Sequence, residues 1–451
     1  MEYDEGNYEA ATQLSRLSMS YIPFESAFSY ATWGLATLTL EGDRIKTSGP
    51  IRQDARFDAY NRLVQDLPSD GNEAEAAPFH SLLAESFRVT QDSFDYVLNP
   101  RIVRAAVEFT GPVVEARFNL PPNWMLPRYT FADFRGVAKV IWALAFIHYQ
   151  ARLFAALSRC SGLGYTNAIL LMDNRELVNR VRRYSGVEES KVSAIITDLT
   201  YGERNQINPD PALQPLIRLN STTYAIPPSI VLNSSMERNF SVLLNRLPEE
   251  QKAYSALSQE RESLSRQRIA KKLAGMPIRI WHGEISEWGS AREVDIAIIS
   301  DEQRACLILE LKSFIAPAEA REIRERSEEI AKGIRQVRSR REKIMQNPEP
   351  LFQSARISCT FQIYCAVASE SSIGANYVQV DDVAVINTSH LLTKLQNVGD
   401  LRTVFGWMDR KEYLPVEGIH YKKVETQDTI GPWTIEWYAL KDLVEDFRFT
   451  I

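Results

Sequence analysis

Asp295, Glu310 and Lys312 are the residues whose types and spacing best suit chemistry. Asp295 opens the apolar run Val294 to Ser300, and Glu310 and Lys312 lie near the end of the run Ala305 to Phe314, Glu310 fifteen positions after Asp295. A short polar link, Asp301 to Arg304, makes the two runs read as hairpin-joined strands. One residue separates Glu310 from Lys312, and alternate residues of a strand share a face. Flanked by Cys306, Leu307, Ile308, Leu309, Leu311 and Phe314, both charges sit in an otherwise buried strand. Desolvating an unpaired carboxylate or ammonium costs several kcal/mol, so each demands a partner. Two carboxylates from neighbouring strands and a lysine supply a divalent-metal site. Asp and Glu are hard oxygen ligands for Mg²⁺, an ion that keeps several waters for substrate and nucleophile.

The elements around these residues alternate. Ile278 and Ile280 suggest a strand ahead of the pair, and Ala318 to Met345 a long helix after it. Phe361 to Ala368 and Val383 to Asn387 read as strands, and His390 to Leu395 as a short helix. Strands interleaved with helices over 249–398 indicate an α/β domain around a central mixed sheet. Upstream, residues 1–174 form a mainly helical region, with one strand region at Tyr30 to Leu40 and a loop at Gly71 to Pro78. Residues 175–248 offer two short helices and a hairpin, which resembles a winged-helix arrangement, and 399–451 a small α+β addition.

The Asp295 and Glu310-Leu311-Lys312 pattern resembles the PD-(D/E)xK nuclease superfamily, the restriction-endonuclease-like fold, over roughly residues 250–395. The resemblance implies that Asp295 and Glu310 hold Mg²⁺, with Mn²⁺ as a substitute. It implies that Lys312 orients the attacking water or stabilises charge developing on the phosphate. Val294 stands where many members carry Pro. Many members also carry a Gln on the helix after the Glu-x-Lys strand, where Gln336 lies, although a solvated helix position accounts for Gln336 equally well. For the Glu often found on the helix before the first core strand, Glu262 is the choice and Glu260 the alternative. The function implied is that of a metal-dependent endonuclease, on DNA before RNA, with prokaryotic restriction or antiphage defence as its setting by analogy. The rival expectation is a non-catalytic nucleic-acid-binding or scaffold protein that keeps the fold.

The same long helix carries Lys332, Arg335, Arg338, Arg340, Arg341 and Lys343 against only Glu342 in a locally basic run, with Lys332, Arg335, Arg338 and Arg341 as the candidates for nucleic acid. Phosphate contact is one use for such a run, and a solvated face is the other. The chain as a whole is acidic, with 52 Lys and Arg against 58 Asp and Glu for a net −6, so overall charge does not advertise nucleic acid. Its 451 residues, 45% hydrophobic and 24% charged, exclude wholesale disorder, collagen and coiled-coil rods. Five scattered His and four Cys without a Cys-x-x-Cys pair give no zinc pattern. No P-loop or Gly-x-Ser-x-Gly elbow is present. Cys306 and Cys365 read as buried free thiols, and the N-terminus lacks a signal-peptide pattern, which together suggest a reducing, cytoplasmic setting. The apolar window Val137 to Leu157 is broken by Lys139, His148, Gln150 and Arg152 and reads as a buried helix, so no membrane is expected. One catalytic centre attacks one strand at a time, which suggests a homodimer or a higher even-numbered assembly.

Overall fold

The computed structural model describes residues 5–49, 54–64, 73–89, 94–116, 118, 120–157, 168–205, 213–234, 236–240, 251–252, 263–291, 293–314, 317, 319–357, 360–444 and 447. The chain divides into two compact units, Met1–Asp66 with Glu262–Ile451, and Leu67–Arg261. These limits differ from the divisions at 174, 248 and 398 read from the sequence, because strands from the two ends of the chain share one sheet. Local pattern carries no sign of such a pairing.

The first unit opens with helix α1 (Glu5–Thr32), strands β1 (Thr37–Glu41) and β2 (Arg44–Ser48), and helix α2 (Arg56–Leu63). The span Tyr30 to Leu40, expected as one strand region, is split between α1 and β1. Gly34 turns the chain there at φ +68°, a left-handed conformation that glycine adopts without strain.

The second unit contains α3 (Glu73–Ser86), β3 (Phe87–Val89), β4 (Phe94–Tyr96), α4 (Pro100–Ala116) and α5 (Phe131–Leu157). The loop expected at Gly71 to Pro78 is helical from Glu73; its Glu and Ala are strong helix formers and outweigh Pro78. Helix α5 is largely buried, and among the described residues no helix is long and apolar enough to cross a membrane. Its His148 is a core histidine whose Nδ1 lies 2.7 Å from the Tyr96 hydroxyl. There follow β5 (Leu170–Asp173), α6 (Asn174–Ser185), α7 (Glu189–Asp198), β6 (Ile217–Arg218) and β7 (Thr223–Ile226). The Asp173 carboxylate caps α6 by accepting from the Arg175 and Glu176 amides. The two helices and hairpin expected over 175–248 are present, and their sheet, in the order β5-β7-β6, takes in a strand upstream of that span. At the end of α7, Asp198 is fully buried. Its Oδ1 accepts from Arg204 at 2.9 Å, and its Oδ2 from Arg128 at 2.6 Å and the Tyr129 hydroxyl at 2.7 Å.

The remainder of the first unit is the α/β part. Strands β8 (Arg279–Glu284), β9 (Glu293–Ser300) and β10 (Ala305–Lys312) precede the long helix α8 (Ala320–Gln346). Then come β11 (Gln362–Ser369), β12 (Val385–Asn387), α9 (Thr388–Val398), α10 (Leu401–Asp409), β13 (Tyr421–Ile430) and β14 (Trp433–Asp442). Five strands form a mixed sheet in the order β12-β11-β10-β9-β8, with antiparallel pairing from β8 to β10 and parallel pairing from β10 to β12. A parallel neighbour requires a crossover, and α8 supplies it between β10 and β11. Strand β10 is central and covered on both faces, which explains its near-continuous apolar sequence. Tyr364, paired with Leu307, stacks on Phe405 of α10 at 5.2 Å, while Glu310, on the other face, meets α8. Cys306 and Cys365 are buried free thiols within this core, and burial pushes the Cys365 thiol up to about 12. The terminal hairpin β13–β14 joins β1–β2 in the order β1-β2-β14-β13, with β14 parallel to β2.

Candidate active site

Strand register accounts for the first contacts. β9 and β10 run antiparallel with Leu309 opposite Ile296, so one further step along the register sets Asp295 against Glu310. Cross-strand partners project from the same face, and Lys312 joins them two residues on. The Asp295 carboxylate accepts from the Leu311 amide at 2.7 Å, which satisfies a backbone donor where the ladder with β9 ends. Asp295 and Glu310 are both buried.

Helix α8 completes the arrangement from above. Lys312 Nζ donates to Glu310 Oε1 at 2.8 Å and to Gln336 Oε1 at 3.2 Å. Arg340 Nη2 donates to the other Glu310 oxygen at 2.6 Å. The helix approaches β10 closely because residue 333 is glycine. A Cβ there would stand 2.9 Å from Lys312 Cε and 3.5 Å from Glu310 Cγ. Gly333, Gln336 and Arg340 recur at helical spacing and form one face. That face opens on a cavity of about 360 Å³ lined by Glu293, Asp295, Glu310 and Glu329, by Lys312, Arg326, Lys332 and Arg340, and by Gln336, Leu311, Ser313 and Phe314.

Four of the expected catalytic residues, Asp295, Glu310, Lys312 and Gln336, therefore line one cavity. Glu262 and its alternative Glu260 lie outside the described residues. The basic run divides. Lys332 reaches the cavity rim and Arg335 is exposed, whereas Arg338 and Arg341 turn to Asp382. Arg338 grips that carboxylate with Nε at 2.9 Å and Nη2 at 2.5 Å, and Arg341 donates to its backbone carbonyl. His282 is exposed. Sequence pattern places Arg340 only in a basic run and gives Arg326, Glu293, Glu329 and Gly333 no part in the site. Stepping four residues along the helix from Gln336 would have found Arg340, which looked like one more member of a charge run.

The donor set fits a hard divalent cation. Asp295 and Glu310 give carboxylate oxygens beside a polar cavity, and Mg²⁺ takes one or two carboxylates while keeping waters. Among the described residues no three His, Cys, Asp or Glu side chains group into a site complete in itself. Both Glu310 oxygens already accept from cations, so a metal ion must compete with Lys312 or Arg340 for this ligand. No family model matches the chain, and no curated protein or solved structure matches it.

Proposed function

We propose that the protein is a metal-dependent phosphodiester hydrolase with a restriction-endonuclease-like core, acting on nucleic acid, DNA before RNA. The observation that carries this reading is the convergence of Asp295, Glu310, Lys312 and Gln336 on one cavity from β9, β10 and α8. These are the positions and elements that the PD-(D/E)xK resemblance implies. A divalent cation on Asp295 and Glu310 would supply Lewis-acid polarisation and a water of lowered pKa. The Lys312 ammonium is held at two points, by Glu310 and by Gln336, so it meets a phosphate without a search over rotamers. There it donates to the attacking water or to the phosphoryl oxygen on which charge grows. Gln336 acts through Lys312 and is a positioning residue. Lys332 and Arg326 offer charge to neighbouring phosphates. A two-fold assembly belongs to the same proposal, since one centre per chain attacks one strand at a time. So does a cytoplasmic setting, in which Cys306 and Cys365 stay reduced. A place in restriction or antiphage defence is analogy alone.

Incubation of the purified protein with supercoiled plasmid and Mg²⁺ or Mn²⁺ tests the reading. The parent should nick the plasmid, and Lys312→Ala should lower the rate on the order of 10²–10³-fold. Arg340 still neutralises Glu310 in that variant, so its melting temperature and nucleic-acid affinity should stay near the parent's. Equal rates would remove Lys312 from the mechanism. A parent that binds nucleic acid and cleaves neither DNA nor RNA with either metal would favour the non-catalytic alternative.

A further inference from the structure

Arg340 carries more hydrogen-bonding capacity than its partner uses. Its side chain is 3% exposed and gives Nη2 to Glu310, while Nε and Nη1 find no partner among the described residues. A buried donor without a partner is costly, and neutralising Glu310 does not explain the cost, because Lys312 already stands 2.8 Å from that carboxylate. Arg326, on the same cavity, also has its Nε unpartnered. Both residues line the cavity, and guanidinium donors left over beside it suit an oxyanion such as a phosphate, which accepts several at once when the side chain turns to it.

The charge balance points the same way. Four carboxylates and four cations line the cavity, so its formal charge is zero. A divalent cation entering alone leaves it strongly positive, and a phosphodiester entering alone leaves it negative. Entering together, each offsets the other. Glu310 supplies the means of coupling, because both of its oxygens are taken and an incoming cation must displace a partner.

We infer that Arg340 is a latch on Glu310 that couples divalent-cation binding to phosphodiester binding. With the cavity empty, the guanidinium holds the carboxylate. A phosphodiester draws the guanidinium to its own oxygens, which opens Glu310 to the cation, and a cation on Glu310 releases the guanidinium to the phosphodiester. Linkage makes this coupling reciprocal. The inference rests on the reading of Asp295 and Glu310 as cation ligands.

The test is Mn²⁺ affinity of the full chain, read by electron paramagnetic resonance with and without millimolar TpT, a single phosphodiester. The parent should bind Mn²⁺ at least about fivefold more tightly when TpT is present, a factor typical of allosteric coupling. Arg340→Met should bind Mn²⁺ more tightly than the parent without TpT, since the competitor is gone, and its gain from TpT should shrink to under about twofold. Arg340→Lys keeps a cation on Glu310 but offers one ammonium in place of a fork; it should fold as the parent does and lose most of the coupling. It decides the matter if Arg340→Met does not fold. A folded variant with the parent's coupling factor, or a parent without coupling, overturns the latch. Plasmid cleavage is scored separately. Coupling in a parent that cuts nothing upholds the latch and sinks hydrolysis, and cutting without coupling does the reverse.

Discussion

Asp198 in the second unit and Glu310 in the first are both buried carboxylates held by two cations, and they do different things. Asp198 is sealed and saturated: Arg204 occupies one oxygen, and Arg128 with the Tyr129 hydroxyl occupies the other. Glu310 lies beside a second buried carboxylate, Asp295, on a polar cavity, and Arg340 has donors to spare. A buried ion pair is therefore weak evidence for a site, since a structural clamp between helix and loop needs one just as much. What separates the two is unspent hydrogen-bonding capacity on a residue that lines a space large enough for a ligand.

Removing each carboxylate should break the comparison open, with the largest effect expected at Glu310, whose cations are the more deeply buried. Asp198→Ala removes the carboxylate shared by Arg128 and Arg204, whose side chains are 28% and 18% exposed, and should lower the second unit's melting temperature, read by calorimetry. Glu310→Ala should cost the first unit more, about 3–5 kcal/mol, because the cations it leaves are the more deeply buried, Arg340 at 3% and Lys312 at 14% exposure. The ligand response should separate the two carboxylates further. Saturating Mn²⁺ should raise the first unit's melting temperature in the parent and in Asp198→Ala, and leave Glu310→Ala unmoved. A metal-dependent rise that survives in Glu310→Ala would take Glu310 out of the metal site.

The contrast also shows what could be read from residues alone. The strands of the mixed sheet were legible, since β9, β10 and β11 are short apolar runs bounded by polar links. Asp295, Glu310 and Lys312 were legible for the same reason: charges inside apolar runs stand out. Arg340 was hidden because it sits in a run of charges, where only three-dimensional placement sets it apart from Arg338. The Asp198 clamp was equally hidden, because Arg128, Asp198 and Arg204 come together across a fold that local pattern does not encode. The pairing of β14 with β2 bridges nearly the whole chain and leaves no local trace either.

A subtler break uses glycines in place of charges. Gly333→Ala puts a methyl 2.9 Å from Lys312 Cε, the far end of a flexible side chain that can swing aside. The helix itself gains up to about 1 kcal/mol from the exchange, so melting should hold or rise. The displaced ammonium should nevertheless lower cleavage by up to about 10²-fold, the scale of a 1 Å misplacement. In the second unit, Gly136→Ala meets Val187 Cγ2 at 3.3 Å and Ser185 Cβ at 3.5 Å, a packing contact alone. That variant should move melting and leave cleavage unchanged. Unaltered cleavage in Gly333→Ala would mean that Lys312 does not need its present position.

The smallest effects belong to a third carboxylate, Asp382, which is exposed and gripped by Arg338. The Arg338 guanidinium holds the Asp382 carboxyl below its usual range. A carboxylate with a lowered folded-state pKa stabilises the fold above the ordinary value near ~3.9, and this contribution fades as pH falls through the lowered value. Solvent screens the pair, so Asp382→Asn should flatten the acid limb of a melting-temperature profile only slightly and change nothing at neutral pH beyond the loss of a surface contact. The same engagement bears on nucleic acid. Each phosphate-contacting cation contributes about 0.9 to the slope of log affinity against log salt on duplex DNA. Lys332 lies on the cavity, so Lys332→Ala should lower that slope by about one. Arg338 and Arg341 are spent on Asp382, so their joint replacement by Ala should lower it by less than Lys332→Ala does. A fall of about two for the Arg338 and Arg341 pair would show that nucleic acid wins these arginines from Asp382, and would extend the binding surface along the outer side of α8.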